Sequence, residues 1–131
     1  MDSIGLRITL CLTFVIAGIA ITWTSRAAAT GRLGRNSLAG IRTPTTMHSD
    51  ETWSAAHGAS RPWTDIGGGL AIVAGLSALI PMSEAMLTAL GFAGAACLLG
   101  FTLGGAWVGV RAAREVASDD DTSEASRTME H

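Results

Sequence analysis

Three runs without ionisable side chains other than cysteine, residues 8–25, 66–83 and 85–110, constrain this chain more than any other feature. A helix needs about 20 mostly apolar residues to cross the hydrocarbon of a bilayer, and each run approaches or exceeds that length. With 131 residues, 48% hydrophobic content and only 15% charge, the chain lacks the polar surface that a soluble domain of this size requires. The expected class is therefore an all-α integral membrane protein with three transmembrane helices. Its expected parts are a first transmembrane helix over residues 1–25, a loop over 26–65, a transmembrane helical hairpin over 66–112 and a disordered acidic tail over 113–131.

A signal peptide is the rival for the first run, because Arg7, the apolar stretch and Ala27, Ala28 and Ala29 imitate its three parts. The stretch exceeds the roughly 7 to 15 residues of a signal core, and Arg26 stands just before the small residues, so an uncleaved helix is expected. Cys11 and Cys97 lie inside predicted spans with no metal-type or redox-type spacing, which points to packing. Arginine sets the expected orientation. Seven residues, Arg26, Arg32, Arg35, Arg42, Arg61, Arg111 and Arg114, flank one side of the spans, against Arg7 alone on the other. Positive charge favours the cytoplasm, so a multi-pass protein of the cell membrane is expected, amino terminus outside, first loop and tail inside. Trp23, Trp63 and Trp107 fall at that same interface, where indoles settle.

Small residues at four-residue spacing let helix backbones approach in lipid, and Ala96, Gly100 and Gly104 form such a ridge on the third span. Packing within the chain is the favoured use of it; a homo-oligomer or another membrane protein is the alternative. The tail from Arg111 carries six acids against three arginines and almost no aliphatic surface, so it cannot offset its ordering entropy and disorder is expected.

The loop holds the chemistry. Gly31, Gly34, Asn36 and Gly40 favour turns, and Thr43 before Pro44 is held extended. Ser49 before Asp50 and Glu51 is an N-cap with two acids in the first turn, predicting a short interfacial helix over 50–59 that ends before Arg61 and Pro62. Trp53 and His57 share one face of it. Arg42 either snorkels to lipid phosphates, pairs with Asp50 or Glu51, or faces a ligand. His48, Asp50 and His57 match no metal-site spacing, so neither metal nor cofactor is expected. Enzyme chemistry finds no support: without Lys there is no Walker A motif, G-x-S-x-G and GxGxxG are absent, and the spans carry no acid or base for proton relay. Membrane topology already accounts for the basic residues, which removes the case for nucleic acid.

Asn36, the run Gly40, Ile41, Arg42, Thr43, Pro44, then Thr46, Ser49, Trp53 and His57 resemble in order and spacing the signature of the SdpI family of bacterial membrane proteins. The resemblance covers roughly residues 22–111, including the two later spans, and departs at Thr45, where the family usually carries Trp. It implies a protein of the toxin-immunity type. The family's founding member protects its producer from a secreted peptide toxin and signals by holding a repressor at the membrane, and it is longer, with further spans before the shared region. By resemblance, the partners are membrane lipids and a peptide toxin or a cytoplasmic regulator. A small structural or accessory subunit of a membrane complex is the alternative.

Overall fold

A computed structural model describes residues 3–130, which form α1 (Ser3–Ala29), α2 (Asp50–Ser77) and α3 (Glu84–Met129) joined by a long loop and a tight turn. The described residues include no strand. Both α1 and α3 are long and apolar enough to cross a membrane, and only 11% of each apolar window is buried. A soluble core helix buries such a window; here the apolar side chains point outward. Ile4, Ile8, Leu12, Ile16, Ile19 and Trp23 make an exposed stripe along α1 at helical spacing. The apolar part of α2 is shorter. From Ile66 to the helix end at Ser77 it rises about 18 Å, against about 30 Å of hydrocarbon.

Two expected boundaries are corrected. The helix predicted to end before Arg61 and Pro62 instead continues through them, so the 50–59 segment is the first part of α2. Pro62 lacks an N–H and frees the carbonyl four residues back, which belongs to exposed Gly58, where water can replace the missing donor. The buried residues Trp53, Ala56, His57, Ser60 and Thr64 on both sides of it hold the helix in register. The tail expected to be disordered is helical to Met129, though exposed from Ser118 onward. Its hydroxyls are satisfied locally, as in Ser118 to the Arg114 carbonyl and Ser126 to that of Thr122, and Arg127 lies in the last turn where the helix dipole favours a cation.

The chain divides into two compact units, Met1–Trp23 with Pro62–Gly104, and Thr24–Arg61 with Gly105–His131. In the first, glycines set how closely the helices approach. A Cβ at Gly18 would lie 2.5 Å from the Gly68 carbonyl oxygen, and one at Gly75 would lie 3.0 Å from that of Cys11. Phe14 fills the space beside Gly94, Leu87 is fully buried, and Arg7 donates to the Met82 carbonyl at 2.9 Å. The Ala96, Gly100 and Gly104 ridge is not the intramolecular packing face. Ala96 and Gly100 are exposed, a Cβ at Gly100 would meet nothing within 4 Å, and only Gly104 touches a neighbour, Trp63. Residues four apart rotate steadily around a helix, whereas the buried line of this unit steps by seven from Leu87 to Gly94.

Gly104→Leu should accordingly lower the melting temperature in detergent, because a Cβ there already lies 2.9 Å from two Trp63 ring atoms and overpacking costs about 1–3 kcal/mol. Gly100→Leu should melt at or above the wild-type temperature. Equal melting of the two variants would contradict this placement of the ridge.

Candidate functional site

The second unit holds the loop and the start of α2. After α1 the chain turns at Gly31, whose φ is 77°, and the Leu33 amide returns to the Ala27 carbonyl at 2.9 Å. Asn36 then ties a local turn. Its Nδ2 donates to the Gly34 carbonyl, and its Oδ1 accepts from the Leu38 and Ala39 amides, all at 2.9 Å. Arg42 reaches back to the Ser37 carbonyl and closes the loop tip, leaving Leu38 90% exposed.

Two hydroxyl pairs shape the chain between the loop tip and α2. The Thr43 amide donates to Thr46 Oγ1 at 2.9 Å, and that hydroxyl donates to the Ile41 carbonyl at 2.7 Å, around a turn that begins at Thr43 and Pro44. Ser49 and Thr52 cap α2 reciprocally, the Ser49 amide donating to Thr52 Oγ1 at 2.9 Å and the Thr52 amide to Ser49 Oγ at 3.1 Å. This is capping-box geometry with Thr in place of the usual Glu. Asp50 is paired with Arg35, Nε to Oδ1 at 2.8 Å, so one of the two acids considered for Arg42 belongs to another arginine.

At the centre, Trp53 and His57, both 1% exposed, pack ring against ring with centroids 4.2 Å apart and planes tilted by 40°. Trp53 Nε1 donates to the Leu33 carbonyl at 2.8 Å, fastening the far end of the loop to α2. His57 lies between two backbone groups. The Ile41 amide is 3.0 Å from Nε2, and the Trp53 carbonyl is 2.8 Å from Nδ1. An amide can only donate and a carbonyl can only accept, so Nε2 is the acceptor and Nδ1 carries the proton. The ring is neutral, with both nitrogens engaged. Gly40, φ 100°, lies directly against it: an added Cβ would be 2.7 Å from His57 Nε2 and 2.8 Å from Trp53 Cη2. Close approach recurs at Gly109 of α3, where a Cβ would lie 2.7 Å from the Ala56 carbonyl oxygen and 3.0 Å from Ile41 Cδ1.

Burial pushes the His57 imidazole below its ordinary pKa of 6.5, partly countered by its bond to the Trp53 carbonyl. Because the unfolded chain takes up the proton first, the contribution of His57 is fully present above about pH 6.5 and is lost as pH falls from there through the folded value.

Asn36, Gly40, Arg42, Thr43, Pro44, Thr46, Ser49, Trp53 and His57 thus lie in one hydrogen-bonded unit. Leu33, Arg35, Ile41 and Thr52 are equally part of it. Thr52 was detectable three residues after the cap, whereas Arg35 meets Asp50 across 15 residues with no local signal. Trp53 and His57 are buried with their ring nitrogens engaged, whereas Arg42 and Leu38 are exposed, as are Arg32, His48 and Glu51 of the same unit.

Residues 32–104, more than half of the chain, match the family described as the SdpI/YfhL protein family. The match begins at the loop and takes in α2 and the apolar part of α3. Neither a curated protein nor a solved structure matches the chain.

Proposed function

The chain belongs to the SdpI/YfhL protein family, and from that membership we propose a membrane protein that confers immunity to, or senses, a membrane-active peptide toxin. Residues 31–57 form its recognition platform at the cytoplasmic interface, meeting the peptide or a cytoplasmic regulator through Arg42 and Leu38. It does so without catalysis, cofactor or nucleic acid. The observation that carries this proposal is the construction of the loop: a simple tether between spans does not need a buried Trp–His pair, two hydroxyl turns and a capped helix. Residues 66–83 serve as a third span because they carry no ionisable side chain over a length close to that needed to cross the hydrocarbon. The Arg bias then puts the amino terminus outside and the platform and tail inside.

A second proposal, a small accessory subunit or homo-oligomer, is favoured by Gly69 of α2 and Gly100 of α3, each exposed and with nothing within 4 Å of an added Cβ.

One experiment addresses both parts of the first proposal. A sensitive bacterium expresses the chain with Cys11 and Cys97 replaced by Ser and either Ser37→Cys or Ser118→Cys, and is challenged with membrane-active peptides. Survival above the empty-vector control, lost in Arg42→Ala at equal membrane levels, is expected, with both cysteines unlabelled by an impermeant reagent until the cells are permeabilised. Survival equal to the control for every peptide rejects immunity, and labelling in intact cells rejects the orientation.

A further inference from the structure

Outside the platform, the second unit contains an open groove of about 240 Å³, lined by Ala59 of α2 and by Trp107, Val108, Arg111, Ala112 and Glu115 of α3. Trp107, Arg111 and Glu115 are four residues apart and share a helix face. The Arg111 guanidinium carbon lies 4.9 Å from the Trp107 ring centroid. Stacking on an indole leaves the N–H edges of a guanidinium free. Among the described residues those donors meet no acceptor, and the Glu115 carboxylate meets no donor. The two do not neutralise each other, consistent with Arg preceding Glu by four residues, the weaker order for a helical pair. The groove therefore presents an unused cation and an unused anion about one helical turn apart, beside an exposed indole.

We propose that this groove binds the phosphoethanolamine headgroup of a phospholipid, Arg111 donating to the phosphate oxygens and Glu115 accepting from the ammonium group. The inference rests on α3 crossing the bilayer, as proposed above, and not on the immunity role. Residues 85–110 contain no ionisable group other than Cys97, so Arg111 is the first charge met beyond the hydrocarbon, at the depth where headgroups lie and Trp is favoured. The sign of each group selects the ligand. A planar guanidinium matches phosphate bidentately. An anionic headgroup or free phosphate would also meet the Glu115 carboxylate, and a choline headgroup has no N–H to donate to it.

The test uses the full chain, delipidated in detergent, with bound molecules counted by native mass spectrometry after separate addition of phosphatidylethanolamine, phosphatidylcholine, phosphatidylglycerol or inorganic phosphate. Phosphatidylethanolamine should bind roughly tenfold more tightly than phosphatidylcholine, about the value of one charge-assisted hydrogen bond. Glu115→Gln should erase that preference and Arg111→Gln should weaken all phospholipids, with helix content unchanged by circular dichroism because both positions are exposed. Equal binding of the two lipids, or variants that bind like wild type, overturns the proposal. Inorganic phosphate binding as tightly as phosphatidylethanolamine overturns the lipid as its source. Release of the protein from membranes by alkaline extraction would overturn the spanning of α3 and this site with it, whereas retention without a headgroup preference overturns this site alone.

Discussion

Gly40→Val is expected to destabilise the protein by about 3–5 kcal/mol, combining a β-branched residue forced to positive φ with overpacking of the ring pair. The backbone at Gly40 has φ 100°, and a Cβ would come within 2.8 Å of both rings. Neither ring can retreat: His57 is held between two backbone groups, and Trp53 is tied to the Leu33 carbonyl. The variant should lose the burial of Trp53, visible as a red-shifted tryptophan emission, and should unfold at lower denaturant. Gly58→Ala is the matched control. It lies in α2 with nothing within 4 Å of an added Cβ, so it should gain up to about 1 kcal/mol from helix propensity alone. Parallel unfolding curves for Gly40→Val and wild type would show that the loop does not pack on the rings.

Trp53→Ala should cost about 3–5 kcal/mol, the range for deleting a large buried aromatic side chain. Its indole is 1% exposed, packs against the His57 ring and donates to the Leu33 carbonyl, so its loss opens a cavity and orphans a carbonyl together. Trp53→Phe separates these effects. It keeps most of the apolar packing and loses the donor, for about 1–3 kcal/mol. Chemical unfolding of both variants measures the split, and a Phe variant as damaged as the Ala variant would mean that the hydrogen bond to Leu33, not the packing, holds the loop.

Local chemistry was legible and long-range chemistry was not. Ser49 followed by two acids marks a helix start because an N-cap depends only on its next three residues, and α2 begins at Asp50. Pro62 marks a helix end by the same local logic, yet buried residues on either side carry the helix past it; tertiary packing outweighs one lost hydrogen bond. Gly40 reads as a turn glycine, but that it lies against His57 depends on a fold 17 residues away in sequence. The Arg35 to Asp50 pair is hidden for the same reason, since charge and spacing offered Arg42 as an equal partner. On α3, four-residue spacing drew attention to Ala96 and Gly100, whereas the buried line follows Leu87 and Gly94. Two of the apolar runs coincide with helices able to cross a membrane because that property is set by length and composition alone.

His57, a neutral imidazole engaged at both nitrogens, is the central fastening of the loop to α2. Nitrogen-detected NMR of the full chain, with selectively labelled histidine and isoleucine in detergent, tests this directly across a titration from pH 8 to pH 5. The expected result is a neutral ring at pH 7 with the proton on Nδ1 and a coupling between Nε2 and the Ile41 amide. The ring should titrate below 6.5, and the coupling should be lost as the ring becomes charged. A charged ring at pH 7, or a proton on Nε2, would contradict this fastening.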